Sequence, residues 1–342
     1  MTVFTRRSLA PETAAVREAY APDCLVLDVD ADFETLPPEA AEELGLFVDA
    51  LDLAAYPTDW LPADAPTPLT RYAGTDFTIG MPGDGTVVWT RQTDPPTVLV
   101  KQRAEGTPAA FRSFLLAEAF VQIAVGVPEQ FLPFFGESYA ELAEATPVSP
   151  SETYQLAAAL FDAWVGLHTR PIFASWCATA GETNDDRDPL VDETFEGETI
   201  DSLAAELRRD SATALARVTG RDPASSVSVD ADAAPVDADA SPVDADAAPV
   251  DADADFGPHP ELFDAWVDAG DRLAGRLEDL STEVARGQTS FPAATEYACS
   301  AVKHGLALPA PFGALDTAAY REHGPEFAVE WARKTYARLD EN

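Results

Sequence analysis

The chain has 342 residues, 60 of them Asp or Glu and 22 Lys or Arg, for a formal net charge of −38. With 46% hydrophobic residues it can bury a sizeable core, which excludes a disordered polyanion. A field of that sign also excludes a nucleic-acid binder, which needs clustered cations.

The acidity runs from Asp23 to Glu341, and Lys101, Lys303 and Lys334 are the only lysines. Self-repulsion of this size works against a compact state in dilute buffer. At about 1 M salt the screening length falls to roughly 3 Å and most of the repulsion disappears. The composition therefore predicts a soluble protein of a high-salt cytoplasm. Cys24, Cys177 and Cys299 are odd in number and far apart, so no disulfide framework is expected. The opening MTVFTRRSLAPETAA lacks the apolar run of a signal peptide, and no uncharged apolar stretch is long enough for a membrane span.

In chain order, Cys24 to Val29 reads as a short strand, and residues 37–51 place Leu44, Phe47, Val48 and Leu51 at helical spacing. Phe77–Met81, Thr86–Arg91 and Thr97–Arg103 are strand candidates joined by turn-forming Pro82-Gly83-Asp84-Gly85 and Thr93-Asp94-Pro95-Pro96. They predict a three-stranded meander, joined by the 24–29 strand. Helices follow over Pro108–Gly126, Pro128–Glu144, from Ser151 to an interruption at Pro171, and over 199–219. From Val229 a seven-residue unit, VDADAAP, recurs four times with Pro235, Pro242 and Pro249 in step. Asp, Ala and Pro at this density cannot pack a core, so 221–258 reads as a disordered acidic linker. Pro260–Arg286 carries Leu262, Trp266, Leu273, Leu277, Leu280 and Val284 on one stripe, and helices are also expected at 295–304 and 325–339. The hexapeptide LFDAWV occurs twice, at 160–165 and at 262–267, which predicts two helices burying the same face.

The expected fold is α+β, predominantly α-helical, with a small N-terminal antiparallel β-meander and a disordered acidic insertion. Residues 1–220 are expected to form the body, 221–258 the linker, and 259–342 C-terminal helices that pack back on the body, with a separate small helical domain as the alternative.

Two constellations bear on chemistry. Arg91, Lys101, Arg103 and Arg112 cluster within a short span and form a candidate patch for an anion or an acidic partner segment. Lys101 and Arg103 fall on one face of their predicted strand. The second is LVLDVDADF, with Asp28, Asp30 and Asp32 following an apolar strand. It resembles the first motif of the haloacid-dehalogenase phosphotransferases. That resemblance implies Asp28 as nucleophile, Asp30 as general acid and base, and magnesium between carboxylates and phosphate. It spans nine residues, and Asp32 stands where that family has Thr or Val. His168 follows Phe161, Trp164 and Val165 on a helix, as a core-edge histidine does. No His/Cys set has metal spacing, and no glycine-rich phosphate loop or nucleophile elbow occurs.

The arginine-rich acidity and the Asp-Ala-Pro repeats resemble proteins of extremely halophilic archaea. RRSLAPETAAVREAYAPDC, RYAGTDFTIGMPGDGTVVWTRQTDPPTVLVK and YACSAVKHGLALPAPFG resemble segments of an uncharacterised haloarchaeal family, a likeness that implies no activity. The leading expectation is a non-enzymatic structural or interaction protein with a protein partner and no cofactor, nucleic acid or membrane. The alternative is the magnesium-dependent phosphohydrolase using Asp28 and Asp30.

Overall fold

A computed structural model describes residues 4–30, 35–36, 55–74, 77–78, 85–181 and 260–340. The predicted helices at 37–51 and 199–219, the linker at 221–258, and Asp32 lie outside the described residues. The α+β, helix-rich class holds.

Strands β1 (Phe4–Arg6), β2 (Leu25–Val29), β5 (Val87–Thr90) and β6 (Thr97–Val100) form one sheet in the order β1-β2-β6-β5. β5 and β6 pair as the expected antiparallel hairpin, with Val87 opposite Val100. β2 lies against the other edge of β6, but parallel, with Leu25 beside Thr97 and Leu27 beside Leu99. The sheet is therefore mixed rather than a pure meander. Phe77–Thr78 (β4) pairs instead with Thr35–Leu36 (β3) in a separate two-stranded ribbon. The reason lies in β6: all four of its residues are buried, as in an interior strand with neighbours on both edges.

Helices α1 (Pro11–Tyr20) and α3 (Ala109–Val125) cover the sheet face that carries Cys24, Val26, Trp89, Val98 and Val100. Phe114 and Phe120 of α3 are fully buried there, each contributing about 2–3 kcal/mol of burial. α3 stops at Gly126, whose φ of 75° is a left-handed cap suited to glycine. A short helix, α2 (Thr67–Ala73), precedes the hairpin. α4 (Phe131–Phe135) and α5 (Ser138–Ala145) follow α3, separated at Gly136.

α6 (Pro150–Gly181) begins with a capping box: the Ser149 N–H donates to Glu152 Oε2 at 3.0 Å and the Glu152 N–H to Ser149 Oγ at 3.3 Å. It runs through Pro171 rather than stopping there, because Phe173 and Trp176 beyond it are buried in the sheet-side core. α7 (Pro260–Ala285), α8 (Phe291–Val302) and α9 (Ala318–Asp340) complete the described chain. α7 packs on α3, α8 on α6, and α9 on α5 and α6. Leu156, Leu160, Ala163 and Leu167 of α6 share a second core with Ala298 and Val302 of α8 and Val329 and Trp331 of α9. Phe161 and Trp164 touch both cores. Among the described residues no helix is long and apolar enough to cross a membrane.

The repeated hexapeptides do sit on touching helices, α6 and α7. Each tryptophan donates its indole N–H to a backbone carbonyl: Trp164 to Arg321 at 3.2 Å, Trp266 to Lys303 at 3.3 Å. Each also lies against an imidazole, His168 and His304 respectively. Burial holds both histidines down to about 4, so they stay neutral near pH 7.

Candidate functional site

Two clefts among the described residues each gather several charged and polar side chains. The smaller, 370 Å³, opens at the carboxyl ends of β2 and β6. Asp28, Asp30, Lys101 and Arg112 all line it, together with Arg7 and Glu105. The sequence motif and half of the basic patch therefore meet in one place. Asp28 is paired with the Arg7 guanidinium. Lys101 is 1% exposed. Its N–H donates to Thr86 O at 2.8 Å, and the chain then turns into a 3₁₀ segment at Gln102–Gly106. β6 thus ends at Val100, so Lys101 and Arg103 do not share a strand face. Arg112, at the start of α3, donates to Ala104 O at 3.1 Å. Arg103 is exposed on the 3₁₀ segment and does not line the cleft.

Arg91 belongs elsewhere. Its guanidinium donates to the carbonyls of Ile123 and Val127 and lies over the Trp89 ring. The Ile123 carbonyl is an end group that α3 cannot satisfy itself and Val127 lies just past the helix, so Arg91 closes the helix end rather than joining an anion patch. Among the described residues no set of three or more His, Cys, Asp or Glu converges as a metal centre.

The larger cleft, 560 Å³, was not visible in the sequence. Three helical stripes wall it: Leu115, Glu118 and Gln122 on α3; Tyr154, Gln155, Ala158 and Asp162 on α6; Glu296, Ser300 and Lys303 at the end of α8. Apart from the adjacent Tyr154 and Gln155, the members of each stripe follow at three- and four-residue steps and so share one helix face. Val87, Val88 and Trp89 of β5 and the Pro128–Gln130 segment close the remaining side. Lys303 Nζ meets Glu118 Oε1 at 2.9 Å, joining α8 to α3. Gln155 Nε2 donates to Glu296 Oε2 at 2.6 Å, and Trp89 Nε1 to Gln122 Oε1 at 2.7 Å. Signals for this cleft existed: Glu118 and Gln122 are a polar pair four residues apart, the only polar residues from Phe114 to the end of α3.

Glu129 fastens this segment to the hairpin. It accepts the Arg91 N–H at 3.1 Å and the Gln92 side-chain amide at 2.9 Å. Burial lifts its carboxyl to about 7, against the pull of these donors, Thr90 and the Arg91 charge. The folded state therefore holds this proton to higher pH than the unfolded chain, whose carboxyl titrates near 4.5. The contribution is full below pH 4.5 and is lost as pH rises through 7. Comparing Glu129→Gln with wild type by denaturant unfolding should show the wild type losing about 2 kcal/mol relative to the variant between pH 5 and 8. Parallel profiles would show that the carboxyl titrates normally.

This chain belongs to a family of unknown function, DUF7089, which it matches over residues 3–241 and 247–339. No curated protein and no solved structure matches it.

Proposed function

We propose that this chain is a non-catalytic binding protein of a salt-rich cytoplasm, of halophilic archaeal type, whose smaller cleft holds an anionic group of a ligand or protein partner. The observation that supports this is the placement of Arg7, Lys101 and Arg112 around one cleft in a chain of net charge −38. Asp28, Asp30 and Glu105 line it too, so the cleft is locally balanced rather than negative; long-range repulsion keeps anions away from most of so acidic a surface, and a balanced cleft is where one can be retained. The pairing of Asp28 with Arg7 also works against catalysis, because a carboxylate held by a guanidinium is a weaker nucleophile.

One observation favours the phosphohydrolase alternative. β2 and β6 are parallel, and Asp28 and Asp30 lie at their carboxyl ends, where α/β sheets commonly bind ligands. In that reading Asp28 is the nucleophile and Asp30 the general acid and base, and their carboxylates would help hold a magnesium ion, which would supply charge neutralisation for the phosphate.

Calorimetry with inorganic phosphate in concentrated potassium chloride tests the first reading. Saturable binding is expected, weakened about tenfold by Arg112→Ala, the loss of one charged hydrogen bond. Absence of phosphate binding would remove the anion assignment. Magnesium-dependent hydrolysis of a phosphate monoester, lost in Asp28→Asn, would replace it with the phosphohydrolase.

A further inference from the structure

We infer, resting on the anion assignment above, that the ligand of the smaller cleft is a zwitterion of amino-acid size, its anionic end at the cleft floor and its ammonium end beside Glu105 at the rim. Depth separates the two signs of charge. Lys101 is 1% exposed, and Arg7 and Arg112 are half-buried. Asp30 and Glu105, on the same cleft, are exposed. The Asp28 side chain is 42% exposed against 21% for Arg7, its partner. The cations therefore lie deeper than the carboxylates. The floor is positive and the rim negative, although the formal charges of these residues cancel.

One group of each sign is left without an ion pair. Glu105 makes neither a hydrogen bond nor an ion pair among the described residues, and Arg112 makes only its bond to Ala104 O. A guanidinium has five N–H donors in a planar fork, so most of those on Arg112 remain for a carboxylate. Arg112 also stands at the start of α3, whose Pro108 cap offers no side-chain hydrogen bond, so the positive end of the helix adds to its field. Asp28 and Arg7, by contrast, hold each other. A simple anion such as phosphate meets the floor cations but lies among the rim carboxylates. A zwitterion puts an ammonium where those carboxylates are, so each end meets the opposite charge. The cleft volume, 370 Å³, is at the small end of the range for ligand clefts and suits a short amino acid.

The test is equilibrium dialysis of the full chain in concentrated potassium chloride against β-alanine, propionate and inorganic phosphate. Propionate is β-alanine without the ammonium, and chloride competes with both alike. All three should bind, β-alanine about three- to fivefold tighter than propionate, the worth of one exposed charge contact. Glu105→Gln should abolish that preference and leave propionate bound at least as tightly. Glu105 is exposed, so its substitution does not endanger the fold. Arg112→Ala should weaken both about tenfold. Glu330→Gln, which removes a carboxylate from the exposed face of α9, should change neither. Binding of phosphate and propionate with no preference for β-alanine would overturn the zwitterion and leave the anion assignment standing. A preference that survives Glu105→Gln would overturn the placement of the ammonium. If none of the three binds, both assignments fail.

Discussion

Gly166→Ala is expected to lower the unfolding free energy by about 1–2 kcal/mol, and Gly166→Val by roughly 3 kcal/mol or more. Gly166 lies in α6 where α8 ends against it. A Cβ added there would come within 2.9 Å of the Lys303 backbone N and 3.2 Å of its Cα. The obstruction is main chain, so no side chain can rotate aside and the two helices must separate. Alanine recovers about 1 kcal/mol of helix propensity, which is why its net loss is smaller than the clash alone would give. Separation would also move Lys303 away from Glu118 and disturb the larger cleft. Gly275 of α7 is the contrast, since an added Cβ there meets nothing within 4 Å. Gly275→Ala should stabilise by about 0.5–1 kcal/mol. Denaturant unfolding in concentrated salt measures all three, and equal shifts for the two alanine variants would show that α6 and α8 do not pack this closely.

The second large effect is that of salt itself. At about 0.1 M the screening length is roughly 10 Å, longer than the spacing of neighbouring surface carboxylates, and at about 1 M it is roughly 3 Å. A net charge of −38 should therefore cost several kcal/mol in dilute buffer, a large part of the 5–15 kcal/mol that ordinarily holds a fold. Melting followed by circular dichroism should rise steeply from 0.1 to roughly 2 M potassium chloride. Tetramethylammonium chloride at equal ionic strength should reproduce most of the rise if screening dominates. A melting temperature flat across the series would refute salt adaptation.

Much of the helical frame could be read from periodicity. The stripe of Leu262, Leu277 and Leu280 forms α7, with all three buried, and Phe114 and Phe120 mark the buried face of α3. The β5–β6 hairpin followed from two strand-like runs joined by turn chemistry, both of which are local. The parallel pairing of β2 with β6 did not, because it joins segments distant in the chain and leaves no local trace beyond the apolar run Val98–Val100. Asp28 and Asp30 on one side and Lys101 and Arg112 on the other are unrelated groups in the sequence, and only that non-local pairing brings them to one cleft. Arg91 looked like part of the same patch because spacing reports neighbours in sequence, while its role is set by which helix end it faces. The larger cleft was hidden for a related reason. Its walls come from α3, α6 and α8, and on each helix alone the polar residues look like ordinary interruptions of an apolar pattern.

Val87 lines the larger cleft and Val100 the smaller, and the two stand opposite each other in the hairpin. The clefts are thus next-door neighbours, divided at that point by a pair of side chains about 5 Å apart. A change of strand twist or register at that pair would therefore reshape both clefts at once, so the hairpin ties their geometries together.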